Sequence, residues 1–221
     1  AIVLYALTGL NPLKIYGAMF KGAFGSARRV WTTIREIMML LCIGVGLAPA
    51  FKMRFWNIGG EGQVLVGGVA AAACMIYLAP NMPLAPVLLI MFVLSALAGA
   101  IWGLIPAVFK ARWNTNETLF TLMMNYIALQ ITSFCVSKWE NPYGSNTVGI
   151  INPTTNAGWF PSIFGQQYML NVIIVVLIAV AMYLYLKYSK QGFEIAVVGE
   201  SMNTARYAAI NVKRVIIRTV M

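Results

Sequence analysis

Long apolar runs alternate with short polar interruptions along nearly the whole chain. No Asp, Glu, Lys or Arg occurs from Gly62 to Phe109, from Thr118 to Ser137, or from Asn141 to Leu186. A helix needs about 20 mainly apolar residues to cross a bilayer, so these intervals hold several crossings. Hydrocarbon offers the backbone no water, which leaves helices or a closed barrel, and runs this long and continuous do not suit barrel strands. The pattern predicts an all-α, polytopic membrane protein of about five to seven spans or part-spans.

The interruptions place the elements. Ala1–Leu7 reads as the tail of a span whose start is missing. Asn11–Glu36 mixes Lys14, Lys21, Arg28, Arg29 and Arg35 with Tyr16, Phe20, Phe24 and Trp31, which suits a surface-lying segment. Ile37–Phe51 is apolar but short for a crossing, and the glycine-rich break Asn57–Gln63 follows it. Val64–Ala79 is the next span, Pro80-Asn81-Met82-Pro83 a turn, and Val87–Phe109 and Thr118–Ser137 cross again. Lys138–Gln167 is a loop rich in Asn, Pro, Gly and Thr. Tyr168–Leu186 is a span, Lys187–Arg214 is polar, and Val215–Met221 opens a last span. The whole, residues 1–221, reads as a single transmembrane domain cut at both ends. No basic stretch precedes the first apolar residues, so no cleavable signal peptide is expected.

Composition agrees: 60% of the residues are hydrophobic and 10% charged, too few charges to cover a soluble surface. A net charge of +10 would suggest nucleic acid in a soluble protein. Here the cations lie between apolar runs, where they anchor the chain at a bilayer, and no nucleic-acid partner is expected. His and Asp are absent, which removes His-based acid–base chemistry, Ser-His-Asp arrangements and most zinc sites. Cys42, Cys74 and Cys135 fall in apolar runs and read as small core residues. No metal and no cofactor are expected. Lys187–Arg218 carries six basic residues and Lys138–Gln167 one. This bias puts Lys187–Arg214 and Lys110–Glu117 in the cytoplasm, with the Pro80 turn and the Lys138 loop outside. Alternation then puts the basic Asn11–Glu36 segment outside, against the same rule.

Three features stand out. In Asn57–Gln63, three glycines disfavour a helix and surround Glu61, an acid that would be costly facing lipid. Unwound backbone at membrane depth borders solute routes in transporters, whereas an ordinary cytoplasmic turn would leave Glu61 in water; both readings stand. The second feature is a polar stripe: Glu117, Thr121 and Asn125 lie four apart on one helix face, with Thr132 close to it. These side chains should point into the bundle, to a solute or to a neighbouring helix. The third is Ser95, Gly99 and Gly103, spaced for close helix approach, with Gly67, Gly68 and Ala70–Ala73 serving the same purpose. Asn57, Glu61, Gln63, Glu117, Thr121 and Asn125 are the candidate path residues. No G-x-x-x-x-G-K-[ST] loop is present, so active transport would draw on another subunit or an ion gradient.

Phe55-Trp56-Asn57-Ile58-Gly59-Gly60-Glu61-Gly62-Gln63, the run Asn116–Ala128 and, more loosely, Gly192–Val212 resemble a known pattern. It is that of the permease subunits of ABC importers for nucleosides and simple sugars, related to ribose and branched-chain amino acid permeases. The resemblance covers essentially the whole chain. In its third part this chain has Ser201 where the family tends to Asn, Thr204-Ala205 for an Ala pair, and Ala209 for Gly. The resemblance implies a non-enzymatic permease subunit in the cytoplasmic membrane. It also implies a second permease subunit, a separate cytoplasmic ABC ATPase subunit and an external substrate-binding lipoprotein. Glu200–Asn211 would then be the segment that couples to the ATPase, through Glu200, Ser201, Ala205, Arg206, Tyr207 and Ala209. The residues themselves support a short helix there, since Met202–Ile210 is Ala-rich and follows Ser201, a good N-cap. Nucleosides are the expected solute, with ribose-like sugars as the alternative. A secondary transporter would also use a broken helix and an acid. A membrane enzyme would have only Glu and Lys for chemistry.

Overall fold

The computed structural model describes residues 11–221, so the expectation for Ala1–Leu7 lies outside the described residues. Helices account for most of it: α1 Pro12–Phe24, α2 Ala27–Lys52, α3 Gly60–Tyr77, α4 Leu84–Trp113, α5 Glu117–Trp139 and α6 Met169–Tyr188, then α7 Lys190–Glu200, α8 Met202–Tyr207 and α9 Val212–Val220. Helices α2 to α6 are each long and apolar enough to cross a membrane, which makes this an all-α polytopic membrane protein. Polar side chains start the helices. Asn11, Asn116, Ser189, Ser201 and Asn211 each accept a hydrogen bond from a first-turn amide of the helix that follows, satisfying donors that have no intrahelical partner.

Two boundaries differ from expectation. The segment Asn11–Glu36 is not one element, and Ile37–Phe51 is not a short one: α2 begins at Ala27 and runs 26 residues, enough to cross. Gly25 and Ser26 break the helix instead, with Gly25 capping α1. The charges of Arg28, Arg29 and Arg35 concealed this, because two turns of a spanning helix can lie beyond the hydrocarbon with their cations in water. The break is also shorter than Asn57–Gln63. It ends at Gly59, and Gly60 to Gln63 form the first turn of α3. Glycine lowers helix propensity, yet here close packing outweighs it.

The chain divides into two compact units. One holds the described residues up to Cys42 with Pro161–Ala179; the other holds Ile43–Phe160 with Val180–Met221. In the first, Thr33 donates to the Ala23 carbonyl at 3.0 Å, tying α2 to α1, and Arg35 lies 5.5 Å from the Tyr168 ring centre. No residue of α1 is buried, and Tyr16, Met19, Phe20 and Phe24 are exposed, as a surface-lying helix requires.

The second unit carries the candidate site. Its centre is the pairing of α3 with α4. A Cβ on Gly67 would stand 3.1 Å from the Ser95 carbonyl, and one on Gly99 3.3 Å from the Gln63 carbonyl, so the small-residue spacing brings these two backbones together. Gly68 faces open space and takes no part. At one end of the unit, Ala50, Met53, Phe55, Ala107, Ala111, Ile195, Val198, Ala205, Val215 and Ile216 form a single core. It packs α7, α8 and α9 against the end of α2 and the last turns of α4. Val215–Met221, expected to open a span, forms most of α9, whose Val212, Val215, Ile216 and Val220 make one buried face. Arg218 pairs with Glu194 at 2.8 Å and joins α9 to α7. This basic end thus brings together the Lys110 and Lys187 segments, which charge bias had assigned to one side. At the opposite end the Lys138 loop meets the last turn of α3, just before the Pro80 turn: Trp139 Nε1 donates to the Tyr77 hydroxyl, and Asn152 Nδ2 to the Met75 carbonyl.

Candidate functional site

Among the described residues, the buried polar side chains are Asn57, Thr121 and Asn125, and all three converge on the break. Asn125 sits about two turns into α5, roughly 12 Å from Glu117 along the axis. Its Oδ1 accepts from the Gly62 amide at 2.8 Å, and its Nδ2 donates to the Ile58 carbonyl at 2.9 Å. One side chain therefore satisfies a backbone group on each side of Gly59. Asn57 Oδ1 accepts from the Gly59 amide at 3.0 Å, which closes the turn into α3. Thr121 is fully buried against Gly59, with its hydroxyl donating to the Glu117 carbonyl at 2.8 Å. Asn57, Gly59 and Gly60 are thus buried against α5, about two turns from its end, while Trp56 and Ile58 turn outward.

The glycines explain themselves here. A Cβ on Gly62 would lie 2.7 Å from Asn125 Oδ1 and 3.1 Å from Trp102 Nε1; one on Gly60 would meet Leu47 of α2 at 2.8 Å. Both positions need hydrogen for α3 to start between α2, α4 and α5.

The other candidate path residues go elsewhere. Glu61 is exposed on the first turn of α3, turned away from the buried node. Gln63 is half-buried and packs its amide against Gly103 of α4. Glu117 is not a free acid, since its carboxylate meets Lys110 Nζ at 2.8 Å with both side chains largely buried. Thr132 donates to the Ala128 carbonyl of its own helix.

The segment after α7 forms α8, a single turn and a half. Ser201 Oγ caps it by accepting from the Thr204 amide at 3.3 Å. Tyr207 is 93% exposed, and Glu200, Arg206 and Ala209 are exposed as well. Ala205 is not available to a partner: it is fully buried in the chain's own core, where a six-residue helix must turn one face inward. Ala209 ends the helix with φ +57°, while the Ile210 amide reaches back to the Ala205 carbonyl at 2.9 Å. That left-handed closure favours glycine, the residue for which Ala209 stands.

Residues 30–221 match the sequence profile of a family described as the branched-chain amino acid transport system / permease component. The chain belongs to this family. The permease is 33% identical over 221 residues to the guanosine ABC transporter permease protein NupP of Bacillus subtilis, covering 97% of this chain and 62% of that protein. It is 28% identical over 225 residues to the nucleoside ABC transporter permease protein NupB of Lactococcus lactis, covering 98% and 61%. It is 26% identical over 219 residues to the glucose ABC transporter permease protein TsgB13 of Haloferax volcanii, covering 93% and 57%. The chain spans about three-fifths of the length of these relatives. No solved structure gives a significant match.

Sequence reasoning missed Trp102, Met53 and Phe55. Trp102 holds its indole nitrogen, buried and without a hydrogen-bond partner among the described residues, beside Gly62. Met53 and Phe55 tie the break into the core that also buries Ala205. An aromatic inside an apolar run carries no periodic signal of its own, and Met53 and Phe55, which flank Arg54, fell between the apolar run ending at Phe51 and the break beginning at Asn57. Their cue was only that large apolar residues persisted where the helix did not.

Proposed function

We propose that this chain is the membrane-spanning permease subunit of an ABC importer that moves nucleosides across the cytoplasmic membrane. ATP hydrolysis then belongs to a separate ATPase subunit. Family membership supports the machine, and the descriptions of the two nucleoside-handling relatives support the solute. Residues 1–221 act as one permease domain within it, beside a second permease subunit and an external substrate-binding lipoprotein.

The observation that carries the mechanism is the recessed break. Thr121 and Asn125 have their polar groups engaged with backbone, and Asn57 does so through Oδ1, so we assign all three to positioning. The solute-facing group is Glu61. An acid in the first turn of α3 is favoured by the helix dipole but costly against lipid. Glu61 therefore faces a watery path shared with the second permease subunit. Motion enters at α8, where Glu200, Arg206, Tyr207 and Ala209 meet the ATPase. From Ala205 it passes through the common core to Met53 and Phe55, which flank the break.

Uptake of labelled guanosine into vesicles holding the complete transporter, with adenosine and ribose as competitors, tests the reading. Competition by adenosine and not by ribose is expected, with uptake dependent on ATP. A specific observation favours a second reading, transport of simple sugars: the likeness to the glucose permease. Competition by ribose alone would select it. Uptake that follows a proton or sodium gradient without ATP would overturn both.

A further inference from the structure

At the basic end of the second unit, a cleft of about 470 Å³ opens between the last turns of α4, the helix α8 and the start of α9. Four cations line it, Lys110, Arg112, Arg206 and Lys213, and no carboxylate does. Glu117 balances Lys110 and Arg206 belongs to the face proposed for the ATPase, which leaves Arg112 and Lys213, both exposed, with no ion-pair partner among the described residues. The N-terminus of α9 opens on the same space through Asn211 and Val212, adding the partial positive charge of a helix start. Cations gathered on one cleft repel one another, so the arrangement calls for an anion.

The surroundings select its source. Helix α4 has 30 residues and is about 45 Å long, well beyond the roughly 30 Å of hydrocarbon, so its last turns reach headgroup depth. The same turns expose Phe109 and Trp113, and Phe109 packs on Phe120 of α5 with ring centres 4.8 Å apart. Aromatic rings beside cations at a helix end match the boundary between acyl chains and headgroups. We propose that this cleft binds the phosphate of an anionic phospholipid, with its acyl chains lying along the apolar flank of α4. Arg112 and Lys213 grip the phosphate from opposite walls. A bound lipid would staple α9 to α4 and set the height of α8 relative to the membrane surface.

The full-length permease in neutral detergent is titrated with dioleoylphosphatidylglycerol, with dioleoylphosphatidylcholine and with inorganic phosphate, following the thermal unfolding midpoint. Phosphatidylglycerol should raise the midpoint saturably while phosphatidylcholine does not. The double variant Arg112→Gln/Lys213→Gln should weaken the apparent affinity on the order of 30-fold, at about fivefold per charge. Arg112→Lys, which keeps the charge, and Lys14→Gln/Lys21→Gln, which removes cations elsewhere, should titrate as wild type. An equal response to both lipids, or a wild-type titration in the double variant, overturns the proposal. Stabilisation by inorganic phosphate alone, lost in the double variant, assigns the cleft to a free anion and overturns the lipid. A double variant that keeps its lipid response but no longer co-purifies with the ATPase assigns the cleft to an acidic protein surface, and overturns it too.

Discussion

Asn125 and Gly62 are joined by a hydrogen bond of 2.8 Å from the Gly62 amide to the Asn125 side-chain oxygen. The same asparagine donates to the Ile58 carbonyl, so a single residue of α5 bridges the break before α3. Replacing it with Leu would leave both backbone groups buried without a partner, at about 1–3 kcal/mol. We expect Asn125→Leu to lower the unfolding midpoint and to abolish uptake, while Asn125→Asp, which keeps the acceptor but not the donor, falls between it and wild type. A Leu variant as stable as wild type would remove the bridge from the account.

Two glycines of α3 should respond oppositely to alanine. At Gly62 the added methyl meets Asn125 and Trp102, so Gly62→Ala should destabilise by about 1–3 kcal/mol, the range for overpacking. At Gly68 nothing lies within 4 Å, so Gly68→Ala should be neutral or stabilise by up to about 1 kcal/mol through helix propensity. Thermal unfolding of the two variants under one set of conditions makes the comparison.

Ala209 occupies a left-handed position that costs an alanine roughly 1 kcal/mol relative to glycine. Ala209→Gly should therefore raise stability by about that amount, read from the thermal unfolding midpoint. Ala209→Val should lower stability by more, since a branched side chain tolerates positive φ least.

Glu117 tests a path role against a structural one. Its pairing with Lys110 is largely buried, and Glu117→Gln leaves that lysine uncompensated. The cost should be on the order of 2 kcal/mol, below the 3–5 kcal/mol of a fully buried pair. Charge exchange in Lys110→Glu/Glu117→Lys should recover part of it. Transport loss in Glu117→Gln should track the stability loss; a fully stable Glu117→Gln that fails to transport would instead give Glu117 a place in the path.

For coupling, the exposed and buried sides of α8 predict different failures. Tyr207→Ala removes an exposed side chain, so the permease should stay folded while co-purification of the ATPase and solute-stimulated hydrolysis fall at least tenfold. Ala205→Trp would force an indole into the permease's own core and should unfold the basic end whether or not the ATPase is present. Normal coupling in Tyr207→Ala would move the contact away from α8.

What the amino-acid sequence determined by itself was most of what depends on transfer from water to lipid or on the next few residues. Charge-free runs produced α3 to α6, because hydrocarbon penalises each charge wherever the chain goes, whereas the charges in the first turns of α2 hid the extent of that span. The cap at Ser201 was legible because it acts on an amide three residues away. The stripe of Glu117, Thr121 and Asn125 pointed inward, as its spacing demanded. Its partners were not legible, because they depend on which helices meet and at what height. Only the tertiary structure decided that Asn125 serves the backbone of Ile58 and Gly62, that Glu117 answers Lys110, and that Ala205 belongs to the core. It also reversed the reading of the glycines at 60 and 62. Taken locally they weaken a helix, but between Leu47 and Asn125 they are the residues small enough to let one begin, and packing distance across the bundle decided the matter.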